Sequence, residues 1–153
     1  MEMFYGMDLP QHVKESLESV DGEILEELLL WGKTKEELVE HIEEACLNGL
    51  ILITYQDNIS LLFMDKTPYT LQMTILPGDG AKSNKITRLL METLTMYKEK
   101  CDIHKIEIRN TCPSLWKILN KAGFQTEGTL VDSRRLSDET YIDELSMGYL
   151  IDV

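Results

Sequence analysis

The chain has 153 residues, 43% of them hydrophobic, which is enough for one buried core and predicts a single domain over residues 1–153. Its 27 acidic against 15 basic residues leave a net charge of −12, which argues against a nucleic-acid binder or an anionic-membrane binder, since both need a basic footprint. Such a surface suits solubility or a basic partner.

Met1 to Met7 (MEMFYGM) is apolar and aromatic and predicts a short first strand. Asp8 is placed to cap a helix with Pro10 in its first turn and Val13, Leu17 and Val20 at helical spacing, and Asp21-Gly22 breaks it. Glu23 to Trp31 predicts a second helical piece with Ile24, Leu25, Leu28 and Leu29 as its apolar stripe, ended by Gly32. Thr34-Lys35-Glu36-Glu37 is a capping box that opens a third helix. Leu38, Ile42, Ala45 and Cys46 share one of its faces, and Asn48-Gly49 is its stop. Its many glutamates form a solvated outer face.

From Leu50 the period changes. Leu50 to Tyr55 and Ile59 to Met64 predict two strands joined by a hairpin turn at Gln56-Asp57-Asn58. A second turn, Lys66 to Pro68, leads into the alternating strand Tyr69 to Leu76. A polar, glycine-containing turn (Pro77 to Asn84) follows, then an amphipathic helix from Lys85 to Lys100 and a strand from His104 to Arg109. A helix then closes on Ala122-Gly123-Phe124. Two more strands, Glu127 to Val131 and Tyr141 to Ile151, flank a charged loop from Asp132 to Thr140. The order describes an α+β domain with one parallel βαβ crossover in a mixed, mostly antiparallel sheet and helices on both faces.

Cys46, Cys101 and Cys112 are odd in number and lack CxxC spacing, which reads as reduced thiols in a cytoplasmic protein. His12, His41 and His104 share no metal-ligand spacing, so no metal is expected. Met1 to Pro10 lacks the basic start and apolar run of a signal peptide, and no segment has the ~20 apolar residues of a spanning helix.

In this order of elements the chain resembles the GNAT superfamily of N-acetyltransferases. Three stretches carry the resemblance. Ile86 to Leu94 (ITRLLMETL) is similar to the helix after the family's pyrophosphate loop, with Leu89-Leu90 in register. Leu115 to Gly128 (LWKILNKAGFQTEG) is similar to the ending of its penultimate helix. Leu130 to Leu150 is similar to the final hairpin of ribosomal-protein and small-amine acetyltransferases. The resemblance implies acetyl-CoA as cofactor, in a V-shaped gap where the strand Tyr69 to Leu76 splays from His104 to Arg109. It places Ile75, Leu76 and Pro77 against pantetheine. Ala81 to Ile86, and with them Lys82, Ser83, Asn84, Lys85 and Ile86, would face the phosphates. It implies a primary-amine acceptor, a small amine or a protein amine, near the final hairpin and the early helices; a homodimer stays open. The acidic surface would suit a cationic acceptor.

The loop departs from the family pattern Arg/Gln-x-x-Gly-x-Gly/Ala. Ala81 stands at the leading position, and Asn84 and Ile86 stand at the two glycine positions. Glycine there lets a backbone amide approach a phosphate closely. Against this, Lys82, Lys85 and Arg88 form a local basic cluster with no acid between Asp79 and Glu92, although bases at a helix start oppose its dipole. The family's catalytic tyrosine, four residues before the glycine of "GF", is Leu119 here. Asn110 matches the family's asparagine if the segment to Gly123 carries extra residues. Catalytic candidates are Glu107, on the strand flanking the gap, Ser114, near the thiol, and Tyr141, in the final hairpin. Asp132, Asp143 and Glu144 are further carboxylates for a general base. Strand alternation puts Glu107 opposite Ile106 and Ile108, with Lys105 and Arg109 as its expected partners. Two readings remain: an acetyl-CoA-dependent N-acetyltransferase, and an inactive binding or structural protein with an eroded loop, as in some tailed-phage virion proteins that resemble GNAT domains.

Overall fold

The computed structural model describes residues 1–22, 24, 34–100, 102–110, 113–135 and 139–151. The elements run β1 (Glu2–Phe4), α1 (Gln11–Glu18), α2 (Lys35–Leu47), β2 (Leu52–Gln56), β3 (Ile59–Thr67), β4 (Thr70–Pro77), α3 (Ser83–Lys100), β5 (Lys105–Asn110), α4 (Pro113–Ala122), β6 (Gln125–Arg135) and β7 (Tyr141–Leu150). Seven strands make one sheet in the order β1-β2-β3-β4-β5-β7-β6, antiparallel except for the β4–β5 pair. The expected α+β domain and its parallel crossover are therefore present. The helical piece expected over Glu23 to Trp31 lies outside the described residues except for Ile24.

Local chemistry explains most boundaries. Asp57 and Asn58 both have positive φ (52° and 64°), which makes the two-residue hairpin turn whose twist matches the flanking strands. Thr34 caps α2, its side chain accepting from the Glu37 N–H at 3.3 Å. Gly123, at φ +106, ends α4 in a conformation that a side chain rarely adopts. Two expectations shift. The N-cap of α1 is Pro10 rather than Asp8, because the extended Pro10 already offers its carbonyl to the Val13 and Lys14 N–H groups. Strand β6 runs through the segment expected as loop as far as Arg135, along an edge of the sheet, with most of its residues exposed and Arg134 turned in toward Glu144.

The two faces of the sheet bury separate cores. Ile59, Leu61, Phe63, Leu71, Met73, Ile75, Ile106, Ile108 and Met147 pack with Ile86, Leu89, Leu90 and Leu94 of α3 and Leu115, Ile118 and Leu119 of α4. On the opposite face Phe4, Ile53, Leu62 and Leu76 pack with Val13 and Leu17 of α1 and Leu38, Val39, Ile42 and Cys46 of α2. Burial pushes the Cys46 thiol pKa up, which keeps it protonated and unreactive. No described helix is long and apolar enough to cross a membrane.

Ile86 sits in the first turn of α3 and is buried in the α3–α4 core. Ile86→Ala is expected to lower unfolding free energy by about 2–4 kcal/mol in urea titrations. Lys82→Ala, at an exposed position one residue before the helix, should change it by less than about 0.5 kcal/mol.

Candidate functional site

The two parallel strands separate. β4 and β5 are in register only at Thr70↔Lys105, Leu71↔Ile106 and Gln72↔Glu107. Beyond Gln72, β4 follows β3, to which it is paired as far as Pro77; beyond Glu107, β5 follows β7, to which it is paired as far as Asn110. The result is a fork that opens toward the C-terminal ends of both strands. Along it, the edge of β4 that would bond β5 is free of strand partners, so its backbone polar groups can meet a ligand. In sheets with parallel strands that end is where ligands bind.

The β4 arm leads into the loop Gly78–Lys82, which is tied at three points. The Gly78 N–H donates to the Asn58 carbonyl (2.8 Å) and the Asn58 Nδ2 to the Asp79 carbonyl (2.7 Å). The Asp79 N–H donates to Ser19 Oγ (2.9 Å), which in turn donates to the Ser16 carbonyl at the end of α1 (2.7 Å). A Cβ on Gly78 would lie 2.6 Å from the Asn58 side chain, so this close approach requires glycine. Gly80, at φ +73, turns the chain back toward α3.

The first residues of α3 are exposed at Lys82, Ser83 and Asn84, while Lys85 is half-buried. The Lys85 and Ile86 N–H groups both bond the Lys82 carbonyl (3.0 and 3.1 Å), so the amides just before them are the ones a helix start leaves free. Ile86 offers neither a free amide nor an exposed side chain. Among the described residues Lys82 and Lys85 have no acidic partner, whereas Arg88 pairs with Glu92 at 3.5 Å. Ile75 and Leu76 are buried and Pro77 is half-buried at the end of the β4 arm. Asn110, only 3% exposed, ends the β5 arm opposite Leu145 of β7.

The catalytic candidates fall in different places. Glu107 lies at the closed end of the fork, bound by Lys66 of β3 and, at 3.3 Å, by Lys105. Of the two expected partners Lys105 pairs with it and Arg109 does not; the second base is Lys66, reaching across β4. The Lys66 contact chiefly, with help from Lys105 and against partial burial, holds the Glu107 pKa below its usual range, which makes it a weaker base. Lys105 also binds Glu127 of β6 at 2.6 Å, and that bond raises its own pKa. This bridge passes over β7 at Gly148, where a Cβ would lie 2.5 Å from Glu127 Oε1 and 2.8 Å from Lys105 Cε. Tyr141 is 57% exposed and lies about 20 Å along β7 from Gly148, the residue opposite Glu107. Ser114 is exposed in the first turn of α4. Leu119, at the position of the family's tyrosine, is fully buried.

Two carboxylates of the final hairpin, Asp143 and Glu144, are also engaged, whereas Asp132 is bonded through its backbone N–H. Asp143 Oδ1 accepts from the Asp132 N–H (2.8 Å), where Asp132 has φ 48°. Glu144, 8% exposed, accepts from Ser133 Oγ (2.9 Å) and Arg134 Nη2 (2.8 Å). These contacts pin the register shift between Leu130 and Arg134 in β6. Among the described residues no group of three or more His, Cys, Asp or Glu side chains could hold a metal ion.

Neither a model of a known family nor a curated protein sequence matches the chain. Solved structures do. An acetyltransferase of the GNAT family from Bacillus anthracis superposes with a TM-score of 0.72 at 14% identity, over 100% of this chain and 97% of that one. A ribosomal-protein-alanine N-acetyltransferase from Brucella melitensis gives 0.69 at 14% identity, over 98% and 99% of the two chains. Spermidine N-acetyltransferase from Vibrio cholerae, solved with CoA and spermine, gives 0.69 at 16% identity, over 97% and 94%. The fold is that of the GNAT N-acetyltransferases. The splayed strand pair, the loop before α3 and the bulged final hairpin are thus features of a GNAT-fold domain.

Nothing in the sequence marks the contacts of Lys66, Ser19, Ser133 and Arg134, or the role of the turn residue Asn58 in holding the loop. Their partners lie 10 to 60 residues away in the chain, and no local pattern marks them. Gly148 was the available signal, since a glycine inside a strand marks a close approach.

Glu107→Gln is expected to lower the Tm at neutral pH, because Lys66 and Lys105 lose their shared counter-charge. The lowered pKa means that this carboxylate stabilises the fold above its unfolded value, about 4.3, and that the gain fades as pH falls through the folded value. The Tm difference between wild type and variant should therefore shrink below about pH 4 in calorimetry.

Proposed function

We propose that the protein is an acetyl-CoA-dependent N-acetyltransferase that acetylates a primary amine. The observation that supports this best is the fork, with one arm running into a pinned loop and an exposed helix start. The residues fit the cofactor's chemistry. The amides at 82–84, with Lys82 and Lys85, offer an anion site where a pyrophosphate would be held. Ile75, Leu76 and Pro77 present backbone along the open edge of β4 for an amide-bearing arm, and Asn110 stands on the other arm. Acetyl-CoA would supply the acetyl group as a thioester.

The chain's own part is largely positioning. Asn58 and Ser19 hold Gly78 and Asp79 of the loop by hydrogen bonds that need no ligand. Glu107 is held by two lysines; of the other named groups able to exchange a proton with an acceptor or a thiolate, Ser114, Asp132, Tyr141 and Asp143 are exposed. The acceptor side is the sheet face that carries α1 and α2, together with the final hairpin. A net charge of −12 favours a cationic acceptor there, such as a polyamine or a basic peptide amine. The inactive binding protein, the second reading of the sequence, gains no support from the loop: three backbone ties hold it in one shape.

Isothermal titration of acetyl-CoA tests this directly. A Kd tighter than about 100 µM is expected, weakened at least tenfold by Lys82→Glu/Lys85→Glu. Gly78→Ala should weaken it about three- to tenfold by displacing Asn58 from the loop. Release of free CoA thiol with spermidine or a lysine-rich peptide would establish turnover. No heat and no thermal shift at millimolar acetyl-CoA would overturn the proposal.

A further inference from the structure

A cavity of about 500 Å³ lies at the end of α3 away from the loop, between the last turns of α3, the start of β4 and the edge strand β1, with Leu71 of the paired end of β4 in its wall. Met96 and Tyr97 line it, whereas the loop meets α3 at Ser83, some 20 Å away at 1.5 Å per residue. Its volume falls in the range of small-molecule sites, roughly 300–1,000 Å³. The walls are apolar and aromatic, with Met3, Leu50, Phe63 and Tyr97 among them, and Phe63 and Tyr97 meet with ring centroids 5.1 Å apart. Tyr5 and Leu50 are well exposed at its mouth. Among the described residues, two carboxylates, Asp65 and Asp102, are the charged groups that line it. Neither has a hydrogen-bonding or ionic partner for its side chain among the described residues.

We propose that this cavity binds an organic cation, an ammonium group carried on an apolar body. Each part of the lining selects for it. Aromatic faces attract an ammonium through their quadrupoles, and the aliphatic walls take the body. The two carboxylates favour a positive head over a neutral one and repel a negative one. Lys66, the base next to Asp65 in sequence, is engaged with Glu107 and does not neutralise this pair. The acidic net charge of the whole chain adds to the same selection. The site is distant from the loop and the start of α3 and does not rest on the acetyltransferase reading.

Three probes that share one body separate the contributions: 4-phenylbutylamine, 4-phenylbutanol and 4-phenylbutyrate. Titrated into the full chain, the amine is expected to bind at least about tenfold tighter than the carboxylate, with the alcohol between them. Asp65→Asn/Asp102→Asn, at exposed positions that carry no packing, should bring the amine to within about twofold of the alcohol. Methyl NMR should show Met3 and Met96 shifting with the amine. Equal affinity for amine and carboxylate, a preference that survives the double substitution, shifts confined to other methionines, or no binding up to about 10 mM would overturn the proposal. Acetyl-CoA titration of the same double variant should match wild type, so loss of this site and loss of the fork site are told apart.

Discussion

The structure depends on where β4 and β5 stop pairing. Three residues on each strand hold them together, and beyond Gln72 and Glu107 each follows its outer neighbour. β3 keeps β4 through Pro77, and β7 keeps β5 through Asn110. Long antiparallel ladders on both sides outweigh a short parallel one, so the sheet can open without losing its core. At the closed end, Lys66, Glu107, Lys105 and Glu127 form a line of alternating charge from β3 to β6. Isolated surface pairs contribute little, but a linked set at the point of divergence resists further peeling of the strands. Gly148 makes that line possible by leaving the surface of β7 bare beneath it.

The loop follows from the same opening. Beyond Pro77, where the pairing to β3 also ends, the chain would be free to wander. It is held instead by contacts to Asn58, in the β2–β3 turn, and to Ser19, at the end of α1. These ties give the amides at the start of α3 a fixed direction. Asn84 and Ile86 stand where the resemblance would expect glycines; the Ile86 amide is taken up inside the helix and the Ile86 side chain belongs to the core. An anion at this helix start would therefore meet amides 82–84 and two lysines rather than a glycine-lined cradle.

Local chemistry made much of this fold legible in the sequence. The Asp57-Asn58 turn, the Thr34 capping box, the alternation of β4 and the Leu89-Leu90 register each reflect a rule within a few residues. The β6 boundary was not legible, because an edge strand exposed on both sides reads like a charged loop. The start of α1 was misplaced by two residues, since proline served as its cap. The site was legible as a region and not as a set of contacts. The strand, loop and helix were placed correctly in order, yet the groups that shape them, Ser19, Asn58 and Lys66, act across the fold. Glu107 shows the limit most clearly. Alternation put it on the right face and beside Lys105, but its second partner reached it across an intervening strand.

Charge distribution brings these pieces together. Bases near a helix start oppose the dipole, and acids would be favoured there; α3 has no acid in its first turn, and Lys82 and Lys85 stand at its start without acidic partners among the described residues. In a chain with a net charge of −12, this is an inverted patch, and an anion bound there relieves both the repulsion between the bases and the unmet amides. The long-range field of the protein repels that same anion, so its binding rests on short-range contacts at the loop. A cation approaching the opposite face meets the reverse situation, drawn in by the overall field and requiring little local charge. On the proposed reading the two substrates thus arrive under different forces, and added salt should tighten the approach of one while weakening that of the other.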